Sequence, residues 1–372
     1  MDPDELTAAL SLLALPQAGA ATITRLIDAA GTPRKALRLP FDRVQALRLR
    51  PATLQAYVAL GGCISADAAR ARDWLLENEV QVIARPDSKY PPLLREIPRP
   101  PPFLFLRGSA DLIGLPQVAL VGSRSPTPAG REFAAELAAD LIGYGLVVTS
   151  GLAHGIDTAA HAGALAARGR TVAVMGTGPD RIYPAANRQL ARRILDTGGA
   201  LLTEYPPGAA PDAAHFPQRN RIISGLGLGV VVVEAALPSG SLLSAQHAAE
   251  QGREVMAVPG PVRSATSRGC HELLRNGAAL IETAEDVIRA LGDRFKPSTV
   301  SAACASTPPT FDPVALDDDE RRLLEATSVE PYSVDRLVER TGLGAARVSA
   351  ALVRLELAGL IETSAGGVAR LR

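Results

Sequence analysis

The segment FPQRNRIIS, residues 216–224, sets Arg219 and Arg221 on either side of Asn220. A guanidinium presents a planar fork of donors that can grip a phosphate through paired hydrogen bonds. Phe216, three residues before the first arginine, offers a flat face on which a base could stack. The same arginines could instead pair with Asp157, Glu204 or Glu234 and lock the loops together, and Asn220 could simply tie a turn. Four other short stretches suit anions. Gly122-Ser123-Arg124 follows the apolar run VALV, and Ser150-Gly151, with Gly155 four residues on, follows LVVT. Gly176-Thr177-Gly178 follows TVAVM and leads to Arg181 and Tyr183, while Ser239-Gly240-Ser241 precedes an Ala-rich stretch. Small-residue turns that open helices leave backbone N–H groups and the positive end of the helix dipole facing outward, where phosphate binds.

Arg124, Arg181, Arg219, Arg221, Arg263 and Arg268 all fall after apolar runs, although residues 118–292 hold fifteen basic and fifteen acidic side chains. The positive field is therefore local. Arginines in a row can follow a sugar-phosphate backbone while Phe216 or Tyr183 stacks on bases, which is the chemistry of single-stranded nucleic acid.

Other chemistries are excluded or weakened by what is missing. The chain's lysines are Lys35, Lys89 and Lys296, so no Walker lysine and no Schiff-base lysine is available between residues 90 and 295. Gly176 and Gly178 lack the third glycine of a dinucleotide fingerprint, so no nicotinamide cofactor is expected, and no other cofactor is indicated. Ser150 lies outside a Gly-x-Ser-x-Gly elbow, so no catalytic residue is assigned. Cys63, Cys270 and Cys304 are far apart and odd in number, and His154 and His161 lack metal-ligand companions, so neither a disulfide nor a metal site is expected and the two histidines are read as packing residues.

These residues need a frame. VALVGSR, LVVTSG, TVAVMGTG, ALLTEY, GVVVVEA, EVMAVPG and AALIET are short apolar runs between Ala-rich stretches of helical spacing, most of which close on glycine. This alternation predicts an open, mainly parallel Rossmann-like α/β sheet with helices on both faces, whose ligands bind beyond the carboxyl ends of the strands. Two further strand candidates within residues 81–108 surround a proline-rich connection and read as an edge.

The expected organisation is a helical module over 1–78, the α/β domain over 79–292, a Ser/Thr/Ala/Pro linker over 293–316, and a winged helix-turn-helix over 317–372. The last unit carries ten acids and eight arginines, a net −2. A groove-reading domain needs a positive face, so a protein-contact or regulatory role is weighed equally for it. No apolar run reaches the roughly 20 residues of a membrane span, and the N-terminus lacks the order of a signal peptide, which predicts a cytoplasmic protein.

From about residue 80 to 292 the chain resembles the DNA-processing protein A family (DprA, also called Smf). VGSR, TSGLAHGIDTAAH, GTGPDRIYPAAN, FPQRNRIISGL, VVEA, SGSLLSAQHAAEQGREVMAVPG and SRGCHELLRNGA carry the resemblance in order. It implies a non-enzymatic protein that binds single-stranded DNA with little sequence preference, forms a homodimer through its Rossmann-like domain, and loads the RecA recombinase during natural transformation. It also implies a DNA pocket built around Arg124 and the Phe216–Arg221 segment. Some relatives place a lysine just before the phenylalanine. This chain has PDAAHF there, so that phosphate contact is either missing or supplied by Arg181 or Arg263. The competing reading is a Rossmann-like nucleotide-monophosphate hydrolase or nucleotide sensor. It lacks the acid it needs, because Leu243 and Ser244 stand where the catalytic glutamate belongs in PSGSLLSAQ.

Overall fold

The computed structural model describes residues 1–296, 317–327, 332–357, 360–364 and 367–370, so most of the expected 293–316 linker lies outside the described residues. The chain divides into two compact units, residues 1–303 and 304–372.

The first unit is organised by a nine-stranded sheet: β1 (Gln81–Ala84), β2 (Phe103–Gly108), β3 (Gln117–Val121), β4 (Val147–Ser150), β5 (Thr171–Val174), β6 (Ala200–Thr203), β7 (Gly229–Val232), β8 (Glu254–Ala257) and β9 (Ala279–Leu280). Their order across the sheet is β1-β2-β6-β5-β4-β3-β7-β8-β9, with β3 to β9 parallel and β1 and β2 joined antiparallel at one edge. Each of the seven apolar runs is a strand. Parallel strands covered on both faces read as unbroken apolar runs, and all five residues of β3 are buried. Alternate side chains divide between the two faces. Ala119 and Val121 join Val172, Val174, Ile222 and Ala245 on one face, while Val118 and Leu120 join Leu137, Leu141, Val148 and Ala160 on the other.

From β3 the chain winds outward through β4 and β5 to β6, then returns to β7 on the other side of β3 and winds through β8 to β9. The direction of winding reverses between β3 and β7. Beyond the carboxyl ends of those two strands lies the crevice in which open α/β sheets bind ligands.

Residues 3–77 fold as short helices whose core, including Leu12, Ile23, Leu26 and Leu75, is shared with Phe103 and Phe105 of β2. In the second unit, three helices (Asp318–Ala326, Val334–Thr341 and Ala345–Leu357) precede a two-stranded ribbon, the arrangement of a winged helix. Four of its described arginines are engaged internally. Arg347 meets Asp319 at 2.6 Å, Arg354 meets Asp317 at 2.9 Å and Glu320 at 2.5 Å, and Arg336 and Arg340 lie over the Tyr332 ring. Among the described residues no helix is long and apolar enough to cross a membrane.

Candidate nucleic-acid interface

The turns after β3, β4, β5, β7 and β8 share the carboxyl rim of the sheet. The turn after β3 carries Gly122, Ser123 and Arg124, all at least partly exposed, and then enters the Pro128–Gly143 helix. Thr127 caps that helix through its Oγ1, which accepts from the Gly130 N–H at 3.0 Å. Glu234, at the end of β7, occupies the same terminus: Thr127 N–H donates to its Oε2 at 3.0 Å and Thr127 Oγ1–H to its Oε1 at 2.6 Å. A carboxylate is favourable at a helix N-terminus, and here the protein supplies its own.

The turn after β4 is filled in the same way. The Asp157 carboxylate accepts from Gly151 N–H at 3.0 Å and Ala153 N–H at 3.2 Å, so the donors expected to cradle phosphate are already satisfied. Ser150 is buried and donates its hydroxyl to Leu120 O at 2.6 Å. Gly155 has φ of 80°, and a Cβ there would lie 2.2 Å from Ser123 O, so only glycine lets the two turns touch. In the turn after β5, Gly178 is buried and its N–H donates to Ala209 O at 3.0 Å. Ser150, Gly151 and Gly178 are therefore buried within the fold with these polar groups already bonded.

The Arg219-Asn220-Arg221 triplet lies on the helix His215–Leu226, not in a loop, and both arginines turn inward. Two residues of a helix stand about 200° apart, so the two side chains cannot form one fork. Arg219 is 3 % exposed; it donates from Nη1 to Val174 O and lies against Gly151 and Asp157. Burial pushes its pKa down to about 10, with Asp157 opposing and the neighbouring Arg124 assisting, while burial raises that of Asp157 despite Arg219. For both groups desolvation outweighs the attraction between their charges, as is common for charges taken into the interior. Arg221 is 8 % exposed and pairs with Glu204 at 2.5 Å. The expectation that both arginines point into a ligand groove is thus corrected. Arg221 meets its anion, Glu204, inside, whereas Arg219 bonds a backbone carbonyl with the Asp157 charge nearby. Asn220 is half-buried and donates from Nδ2 to Gly240 O at 3.1 Å, tying its helix to the turn after β7. In that turn Ser239 caps the Gly240–Glu250 helix, and Gly240 is exposed.

What faces solvent is a cluster of three side chains. Phe216, at the start of the His215–Leu226 helix, lies over Gly176, where a Cβ would fall 2.9 Å from the ring, so the buried glycine is a seat for Phe216. Tyr183, 47 % exposed, places its ring centroid 5.4 Å from that of Phe216 with the planes inclined by 35°. The Arg124 guanidinium lies near the Phe216 ring, 5.8 Å from its centroid. Exposed Arg181 completes the rim, and neither Arg124 nor Arg181 has an acidic partner among the described residues. Beneath, Tyr205 stacks on His215 at 3.9 Å, and His215 Nδ1 lies 3.2 Å from Gly176 O, which fixes the start of the helix. Of the two histidines read as packing residues, His161 is buried against Thr171 Oγ1 at 2.8 Å, whereas His154 is exposed.

Sequence reasoning included Tyr183 only as an alternative to Phe216, whereas the structure sets the two side by side. It weighed Asp157 and Glu234 only as partners for Arg219 and Arg221, not as acceptors for the N–H groups of the turns. Asp157 stands in the first turn of its helix, a position where a carboxylate commonly satisfies free N–H groups, and that was the available signal.

A family model described as DNA recombination-mediator protein A matches residues 81–292, which contain the whole of this rim. The chain belongs to that family. A second model, the DprA winged helix domain, matches residues 307–367. Protein Smf of Escherichia coli is 40% identical over 301 residues, covering 80% of this chain and 79% of its own. DNA processing protein DprA of Streptococcus pneumoniae is 46% identical over 202 residues, covering 54% and 71%. The crystal structure of the S. pneumoniae protein superposes with a TM-score of 0.66 at 35% identity, covering 76% of this chain and 97% of that one. DNA processing protein A of Helicobacter pylori, whose structure was described for its single-stranded DNA binding mode, gives a TM-score of 0.53 at 29% identity, covering 59% and 98%.

Proposed function

We propose that this protein binds single-stranded DNA without sequence preference, at the rim formed by Arg124, Phe216, Tyr183 and Arg181. The observation that carries this reading is the open cation–aromatic cluster. Its rings are inclined, at least partly exposed and flanked by two arginines without acidic partners among the described residues, so a base has a face to stack on and its phosphates have cations to meet. Stacking and phosphate charge are shared by all bases, which is why no sequence preference follows. Arg219 contributes from below as a buried charge, compensated by Asp157, and holds the helix that presents Phe216. The H. pylori relative supports the ligand class. A nucleotide hydrolase is disfavoured, since the first turns of the Gly240–Glu250 helix, where its acid would stand, carry an exposed Leu243 and a buried Ser244. On this reading no bond is broken. The Rossmann-like domain holds the strand, the winged helix serves contacts other than strand capture, and, by family relationship, the protein pairs with a second copy and delivers the strand to the RecA recombinase.

The test is anisotropy titration of a labelled oligothymidylate with full-length protein at fixed salt. Losing one stacking face costs about 1–3 kcal/mol. Phe216→Ala is accordingly expected to weaken binding by about fivefold to 150-fold, and Arg124→Ala to weaken it and flatten the salt dependence. Unchanged affinity in both variants, with melting temperatures intact, refutes the assignment.

A further inference from the structure

We infer that the turn Pro261–Ser264, beyond β8, is a second contact for the same DNA strand, remote from the Phe216 cluster. The inference rests on the function proposed above and extends it along the rim. Ser264 N–H donates to Pro261 O at 3.0 Å, which closes a β-turn with Val262 and Arg263 at its two central positions. Val262 is 85 % exposed, and Arg263 and the nearby Arg268 are exposed with no acidic partner among the described residues. The turn is braced from behind. Ser264 Oγ and Thr266 Oγ1 are 2.8 Å apart, His271 Nε2 lies 3.0 Å from Gly260 O, and Ala235 N–H donates to Thr266 O at 2.8 Å. The last bond, with Gly269 N–H donating to Ala235 O at 2.7 Å, joins this loop to the one after β7, whose Leu237 is 48 % exposed. A fixed scaffold thus presents an apolar side chain next to an unpaired guanidinium, the same pairing of chemistries that Phe216 and Arg124 provide at the other end.

Between the two lie the turns after β4, β3 and β7, which present Arg124, Ser239 and Gly240 beside Asn220, while their carboxylates are engaged by the protein: Asp157 is buried on the Gly151 and Ala153 N–H groups and Glu234 is bonded to Thr127. From β5, under Phe216, to β8 there are four strand intervals. At about 4.8 Å each they span about 19 Å, the length of about six nucleotides stacked at 3.4 Å. A strand that stays stacked and is seated on Phe216 therefore reaches the turn when it is longer than about five nucleotides. There Arg263 and Arg268 would take phosphates, and Val262 with Leu237 would cover a sugar or base face.

The experiment compares oligothymidylates of about four and about twenty nucleotides on full-length protein carrying Val262→Ser with Arg263→Ala, and separately Arg263→Glu. We expect the affinity for the longer strand to fall about tenfold, its salt slope to drop by about 0.7 because one phosphate is no longer neutralised, and the affinity for the shorter strand to stay unchanged. Equal affinity of parent and variants for the longer strand overturns the inference, as does an equal loss at both lengths. Its failure is separable from that of the main reading: Phe216→Ala weakens both lengths if the cluster binds DNA, whatever the turn does.

Discussion

Arg221 tests whether the arginines of the 216–224 segment hold the ligand or the fold. Its guanidinium and the Glu204 carboxylate meet at 2.5 Å with side chains 9 % and 10 % exposed, and among the described residues Arg221 Nη1 and Glu204 Oε1 have no other partner. Arg221→Met keeps much of the side-chain volume but leaves the carboxylate buried and alone. Breaking a buried pair in this way costs about 3–5 kcal/mol. A kcal/mol shifts the melting temperature of a 150–250-residue domain by about 2–4 °C, so the variant should melt about 6–20 °C lower, with the lower end favoured by the larger unit here. Replacing both partners, Arg221→Met with Glu204→Met, removes the stranded charge and should recover at least half of the loss. Thermal unfolding followed by circular dichroism, alongside strand binding at a temperature where every variant is folded, decides the matter. We expect binding within about twofold of the parent. A single variant that melts within a degree of the parent yet loses the strand would mean that Arg221 reaches DNA and that its inward orientation is not the binding state.

Two further outcomes follow from burial and charge. His161 is fully buried, and its pKa is lowered to about 3, chiefly by burial and secondarily by Arg219. A depressed histidine pKa makes a stability contribution that is present above the unfolded value near 6.5 and lost as pH falls toward 3. The unfolding free energy measured by urea titration should therefore drop by up to about 1.4 kcal/mol per pH unit across that window. His161→Leu should flatten this limb, and an unchanged slope would refute the assignment. Removal of residues 317–372 should leave single-strand affinity within about twofold in a gel-shift titration, because Arg336, Arg340, Arg347 and Arg354 are engaged inside that unit; loss of binding would place the strand on the winged helix.

The sheet was legible because burial on both faces leaves so little choice of residue: runs such as GVVVV and TVAV can hardly be anything but interior parallel strands. The rim was legible for the same reason, since ligand-facing turns must follow those runs. Orientation was not. The sequence left open whether Arg219 and Arg221 grip phosphate or pair with an acid such as Glu204, and only the fold shows that a helix turns them to different sides, Arg219 to Val174 O and Arg221 to Glu204. The donors of the turns after β3 and β4 were misread because a sequence does not reveal that Glu234, over a hundred residues away, returns to fill one of them.

Those two internal carboxylates set what the crevice ignores. In related sheets a helix start with bare donors captures small anions indiscriminately. Here Asp157 and Glu234 have taken those places permanently, so inorganic phosphate or a mononucleotide gains little by entering. What remains attractive is distributed: an aromatic face, then scattered cations along an edge. If the rim binds as proposed, only a ligand long enough to touch several at once collects a useful sum, so a preference for polymer over monomer would follow without any element that measures length.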